Sequence, residues 1–193
     1  SVTYTNLNAT TYYHAIIKNG VCAQAYSTET IITVNQGAVA ASVGIDQILC
    51  GGNSTTLTGN DPLTNIGLWT LTSGQTGVNI VAPGLYNTSV TGLVPGQTYT
   101  FKWTISGLAP CPATSADLKV QIDLPTLGGT TSGADTVCAG NSNGTITLAG
   151  QVGNILGWES SPDGTTWTSI AGSAGQTSVA YTNLNATTYY HAI

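Results

Sequence analysis

Residues Ser1–Ile16 read SVTYTNLNATTYYHAI and residues Ser178–Ile193 read SVAYTNLNATTYYHAI, so fifteen of sixteen positions match between the two ends of the chain. Only Thr3 against Ala180 differs. Two domains that merely share an architecture would not keep surface Thr, Asn and Ala in step. Near-identity of this kind points to recent duplication of a long unit, Ser1–Thr177. Units duplicated in tandem build arrays in which each copy contacts its neighbours. The expectation is a window onto such an array, opening inside one copy and stopping inside the next.

Composition narrows what each copy can be. Charged residues make up 6% of the chain, against about a quarter in ordinary globular proteins, and Thr, Ser, Asn and Gly fill the gap. These are residues of half-exposed strands and tight turns. There is no Arg, and Lys18, Lys102 and Lys119 are the only Lys. Without a basic cluster, nucleic acid and anionic lipid are poor partners, because both are held mainly by Lys and Arg. No apolar run is long enough to span a bilayer, so membrane insertion is not expected.

A weaker periodicity lies inside the long one. Cys50-Gly-Gly-Asn-Ser is matched further on by Cys138-Ala-Gly-Asn-Ser, and Gly67-Leu-Trp69 by Gly157-Trp158. The repeated unit therefore reads as two diverged domains, A and B. Domain A is complete over residues 36–124. Residues 1–35 read as the C-terminal strands of one B domain, and residues 125–193 as the N-terminal part of the next. Within A, Val39, Ala41, Val43 and Ile45 alternate as a first strand, and Ile66–Thr72 forms a central one. Tyr99, Phe101 and Trp103 alternate with polar partners, as do Leu118, Val120 and Ile122 in a closing strand. Period-two patterning between Gly, Pro and Asn turns, without helical period, predicts an all-β chain of tandem antiparallel sandwiches.

Leu93-Val-Pro-Gly-Gln-Thr-Tyr99 resembles the corner before the sixth strand of fibronectin III-like and other Ig-like sandwiches, where a tyrosine phenol bonds back to the backbone. Leu7-Asn-Ala-Thr-Thr-Tyr12 reads as a shorter version in B. The cysteines follow the repeat. Cys50 is separated from Cys111 by the same length of chain as Cys138 from the next copy's equivalent of Cys22. Equal spacing argues for one disulfide per domain, joining Cys50 to Cys111 within A and Cys138 to Cys22 across successive copies. Each closed loop would contribute roughly 4 kcal/mol by chain entropy. Zinc is disfavoured because the cysteines are single, with no C-x-x-C pair. Disulfides in turn imply an oxidising compartment.

The remaining chemistry is sparse. His14 and His191 are one repeat position seen twice, and neither has a Ser and carboxylate constellation that would suggest catalysis. Acidic residues are scattered singly without a calcium-loop motif, so no metal or cofactor is expected. Trp158-Glu-Ser-Ser-Pro-Asp-Gly164-Thr-Thr-Trp167 resembles the Asp-box of sialidase propellers but lacks the residue between Asp and Gly. It reads better as a hairpin turning at Pro162–Gly164, with Trp158 and Trp167 as a candidate sugar platform. Lys102 invites comparison with the isopeptide lysines of pilins, but alternation puts it on the face opposite Phe101 and Trp103. Asp135-Thr136-Val137 resembles the D-[ST]-apolar motif of O-glycosylated secreted proteins of Bacteroidota, which would place a glycan on Thr136.

Taken with Asp46-Gln-Ile-Leu-Cys-Gly51, Leu93-Val-Pro-Gly96, Thr136-Val-Cys-Ala-Gly140 and Asp163-Gly-Thr-Thr-Trp167, these segments give a chain that resembles the repeated Ig-like domains of giant Bacteroidota cell-surface adhesins. That group includes gliding-motility adhesins exported by the type IX secretion system. The resemblance implies an extracellular, cell-anchored stalk or filament without catalysis, whose partners are adjacent copies of the same repeat. Two further classes stand beside it: a module adhering to surface glycans, and an accessory domain of a secreted enzyme.

Overall fold

The computed structural model describes residues 1–193, all of them in strands, turns and loops. Contacts divide the chain into two compact units, Ser1–Asp123 and Leu124–Ile193.

The first unit opens with four short strands, β1 (Thr11–Tyr13), β2 (Ile16–Ile17), β3 (Ala25–Tyr26) and β4 (Thr30–Ile32). β1 pairs antiparallel with β4 and β2 with β3, making one long, interrupted hairpin. Its tip turns where the Cys22 amide donates to the Asn19 carbonyl. The sandwich comes next, with β5 (Gln47–Cys50), β6 (Ser54–Thr58), β7 (Ile66–Ser73), β8 (Asn79–Ile80), β9 (Asn87–Thr91), β10 (Gln97–Ser106) and β11 (Thr114–Asp123). One sheet has the order β5-β11-β10-β7 and the facing sheet β6-β9-β8. β5 runs parallel to β11, whereas β10 is antiparallel to both neighbours. Two such sheets with the last strand between the first and the sixth make an Ig-like sandwich.

Alternation fixes which side chains fill it. On β10, Tyr99, Phe101, Trp103 and Ile105 are fully buried, as are Leu118 and Val120 on β11. β7 contributes Trp69, whose ring lies 5.2 Å from that of Trp103, and the facing sheet contributes Leu57 and Val90. Tyr99 forms the expected corner: its hydroxyl accepts a hydrogen bond from the Val94 amide at 2.9 Å, beside buried Leu93. Phe101, two residues on, occupies the position that antibody domains give to the second core cysteine. Lys102 sits across from Asp117 on the outer face and makes a 2.8 Å ion pair with it.

The first strand of this unit differs from expectation. The Val39–Ile45 segment is not a strand; it makes only an isolated bridge, Val43 to Gly59. Around that bridge the Gly44 amide donates to the Thr58 carbonyl and the Asn60 amide to the Ser42 carbonyl. Further back, side chains hold the segment, with the Val39 amide donating to Asn65 Oδ1 and the Ala41 amide to Thr114 Oγ1. Alternation brings Val39, Ala41 and Val43 against the core but leaves Ile45 exposed. The first sheet strand lies later, at β5, whose residues Gln47 and Leu49 face inward.

The second unit has β12 (Thr130–Ser132), β13 (Asn143–Ala149), β14 (Trp158–Ser161), β15 (Thr168–Ile170), β16 (Ser178–Thr182) and β17 (Tyr189–Ala192). Its sheets are β12-β13-β16 and β15-β14-β17. The core is small: Ile146, Leu148, Trp158 and Tyr181, with Tyr190 and Ala192 packed against it. The inward tyrosine in B is one residue later than expected, and no hydroxyl-to-backbone bond like that of Tyr99 forms there. Tyr189 and Tyr12 face outward and are exposed, whereas Tyr190 and Tyr13 face inward. Leu184 to Tyr190 then has the same spacing as Leu93 to Tyr99, so there is no shortening.

The Trp103 ring covers Gly67, and a methyl at that position would run into it. Gly67→Ala is expected to cost about 1–3 kcal/mol in urea unfolding of the first unit through overpacking. Tyr99→Phe should cost about 1–2 kcal/mol by leaving the Val94 amide without a partner. An unchanged midpoint for either variant would show that the contact does not constrain the fold.

Candidate functional site

Three features bear on function: the β14–β15 hairpin, the four cysteines, and the open side of the second unit.

The hairpin forms as expected, with Trp158 opposite Ile170 and Ser160 opposite Thr168. Asp163 organises its loop. One carboxylate oxygen accepts from the Thr165 and Thr166 amides at 2.8 Å each and from the Ser161 hydroxyl at 2.9 Å. Ser161, itself buried, accepts in turn from the Gly164 amide. Amides donated to the charged form, first from Thr166 and then from Thr165, hold the Asp163 carboxyl far below the usual carboxylate range. The sugar platform is not formed, because Trp158 is a core residue with no exposure and its indole nitrogen donates to the Gln176 carbonyl. Alternation along β14 sends it between the sheets. Trp167 is half-buried and stacks on the His191 imidazole, with ring centroids 3.7 Å apart. His191 also hydrogen-bonds Glu159 at 3.0 Å, so its ring is fixed between an indole and a carboxylate.

All four cysteines are free thiols. The expected Cys50–Cys111 pair is ruled out by topology. Cys50 is the register partner of Asp123 at one end of β11, whereas Cys111 lies in the loop before Thr114 at the other. At about 3.3 Å per residue, β11 places them roughly 30 Å apart, against about 7 Å between Cα atoms for a disulfide. Sequence spacing is equal in both domains, but spacing carries no information about which end of a sheet a residue occupies. Cys22 and Cys138 are exposed. Thr136 is exposed, and its amide donates to the Asp135 carboxylate at 2.7 Å. No group of three or more His, Cys, Asp or Glu side chains converges on a common point.

The second unit, which the sequence reads as only the N-terminal part of a B domain over residues 125–193, has an open side. A groove of about 330 Å³ runs between the Asp135–Val137 segment and Tyr189–Tyr190, and its floor is core, Ile146 and Tyr181. In the first unit β11 lies between β5 and β10. Since Cys138 corresponds to Cys50, Asp135–Val137 corresponds to β5, and β17 corresponds to β10. The groove is thus the position of the last strand of the sandwich. The duplicated segment shows the same incompleteness from the other side. Tyr181 in β16 is 7% exposed, but its twin Tyr4 is 54% exposed and lies in no strand.

The strand order of the first unit defines a member of the Ig-like sandwich class, and the second unit carries most of the same frame. The chain belongs to the family described as a domain of unknown function (DUF8696), whose model matches residues 1–36 and 127–193, together more than half of its length. No curated protein matches it significantly. Among solved structures it is similar to the PKD domain from the KIAA 1837 protein, at 28% identity over 47% of this chain and 92% of that one, with a TM-score of 0.39. It is also similar to a fragment of titin, at 10% identity over 94% of this chain and 66% of that one, with a TM-score of 0.45. The FN1–FN3 domains of chicken CNTN1 match at 14% identity over 95% of this chain and 68% of that one, with a TM-score of 0.31.

The contribution of Asp163 to stability is complete at neutral pH. It should fall away as pH drops below the carboxylate's ordinary value of 3.8 towards its depressed folded value. Asp163→Ala is therefore expected to lower the melting temperature of the second unit at pH 7, with the gap to the unchanged chain narrowing under strong acid. A gap independent of pH would assign the loss to loop conformation rather than to the carboxylate.

Proposed function

We propose that the chain is a non-catalytic extracellular repeat whose beads join end to end into a stalk or filament of a bacterial surface adhesin. The observation that carries this reading is the duplicated segment in its two settings. Ser178–Thr182 is a strand paired with β13, which covers its inner side chains. Ser1–Thr5 has no such partner, and Val2 and Tyr4 lie open beside Tyr13 and Ile32 along a groove of about 380 Å³. One end presents an uncovered hairpin and the other presents a sandwich lacking its last strand. Each supplies what the other needs, so the partner is an adjacent copy of the same repeat. The occupant of the second unit's groove is the segment 17–35 of the following copy. The family match on both sides of residues 37–126 supports the same division into B, A and B domains.

Such a stalk gains rigidity from each bead and its junctions, and reach from copy number. Few charges and only three trypsin sites suit an exposed position outside the cell. A glycan on Thr136, which is exposed beside the groove, would be visible as added hexose mass on protein from the native source. An unmodified mass would remove that assignment.

The central reading is tested by adding the sequence of residues 17–35 after Ile193, so that one B domain becomes whole. Burying two or more apolar side chains at about 1.5–3 kcal/mol each should raise the stability of that domain by at least ~3 kcal/mol. The same added segment with its apolar residues changed to Ser should give no rise. Equal unfolding midpoints for the extended and unextended chains would refute the completion of one copy by the next.

A further inference from the structure

Domain A places its two cysteines at opposite ends, and each marks where the chain enters or leaves. The chain enters at Asn35, whose carbonyl accepts a hydrogen bond from Cys111 Sγ at 3.3 Å and whose side-chain amide donates to the Ala109 carbonyl. It leaves at Asp123, which lies beside Cys50 in the β5–β11 ladder and whose carbonyl accepts from the Gly51 amide. The hairpin of residues 1–35 repeats the entry arrangement. Cys22 sits at its tip in the same kind of tight turn as Cys111, with amides donating to the Asn19 and Leu108 carbonyls respectively. Counted from the tip cysteines, Val34 is the position equivalent to Asp123, two residues beyond the end of β4 at Ile32. In the second unit, Cys138 lies in the loop just before β13, as Cys50, the last residue of β5, lies just before β6. In both domains, then, one cysteine stands at the entry and one at the exit.

We infer that the disulfides of this protein close between successive domains, joining Cys50 to Cys22 of the next copy and Cys138 to Cys111 of the next copy. The inference rests on the tandem reading above. The Cys138 of a preceding copy would stand beside Val34 and Asn35, as Cys50 stands beside Asp123. Neighbouring strands are about 4.8 Å apart, and Cys111 Sγ already touches Asn35, so both thiols would lie at the same junction residues, Val34 and Asn35. The two links also enclose almost the same length of chain: the path from Cys138 to the next Cys111 is a single residue longer than that from Cys50 to the next Cys22. No such pair can close inside a single stretch of 193 residues, in keeping with four free thiols.

In each link two S–H bonds break and one S–S bond forms. The two protons and two electrons released pass to a protein disulfide of the thiol–disulfide oxidoreductase class, which becomes a dithiol. The product is a staple across every junction, limiting the angle between beads rather than bracing their interiors.

The test is peptide mapping without reduction on a chain of three consecutive copies of Ser1–Thr177 folded under oxidising conditions, cleaved with pepsin because trypsin sites are scarce. Expected are linked peptides carrying Cys22 with Cys50 and Cys111 with Cys138. Peptides linking Cys50 with Cys111 or Cys22 with Cys138 would overturn the inference, as would thiols left free after oxidation anywhere but at Cys22 and Cys111 of the first copy and Cys50 and Cys138 of the third. Cys50→Ser provides an independent arm. It should release one free thiol per link at Cys22 and leave the Cys111–Cys138 peptide at its original yield. Release at Cys111 instead would refute it. The tandem reading itself is judged separately by the stability of the extended chain under reducing conditions, where its one complete pair, Cys50 with the added Cys22 equivalent, stays open.

Discussion

The packing of Trp103 on Trp69 across Gly67 is the constraint on which the first unit depends. β10 delivers four buried side chains on alternate residues, and Trp103 is the one that spans from its own sheet to the facing strands. With the ring lying over Gly67, β7 can approach β10 only because no Cβ stands there. Leu57, Val90, Leu118 and Val120 then fill the space around the two indoles. In antibody domains a disulfide between the sheets occupies this region. Here aromatic volume takes its place, which frees every cysteine for the ends of the domain. The arrangement carries one cost, since the Trp103 indole nitrogen is buried without a hydrogen-bond partner.

The second unit keeps the frame but lacks one strand, and its core records the loss. Trp158 is as well buried as Trp69, and its indole nitrogen is satisfied. Yet Ile146 and Tyr181, which floor the groove where the last strand would lie, keep a little exposure. A sheet edge with an apolar floor is a template for another strand. In the proposed tandem array the next copy would supply this strand, and stability would be shared across neighbours rather than held by each bead alone.

Much of this is legible in the residues. The inward alternation of Tyr99, Phe101 and Trp103, the closing strand through Leu118–Ile122, the tyrosine corner and the β14–β15 turn all come from period-two patterning and turn chemistry. The first strand lies later than its pattern suggests because Val39–Ile45 alternates like a strand. What decides strand formation there is whether a backbone partner is at hand, and at Val39 and Ala41 the side chains of Asn65 and Thr114 take that role. The paired tryptophans of the hairpin read as a surface platform because both flank a turn. Only the position of β14 within the sandwich sends Trp158 inward and leaves Trp167 against His191. The inward tyrosine of B differs by one residue for a related reason: two adjacent tyrosines satisfy the pattern equally, and the sheet chooses between them.

The sequence alone determined that the chain is all-β, that a segment recurs almost unchanged at Ser1–Ile16 and Ser178–Ile193, and that the Cys50 motif recurs at Cys138. Those are properties of order and spacing along a chain. The tertiary structure decided what spacing cannot express, namely which end of a sheet each cysteine occupies and which side chains find cover. The duplicated segment makes the point directly. Tyr181 is buried because β13 lies beside it, and Tyr4, in nearly the same local sequence, is open because nothing does. Local propensity is the same in the two places, so the difference is wholly the free energy of packing against a neighbour.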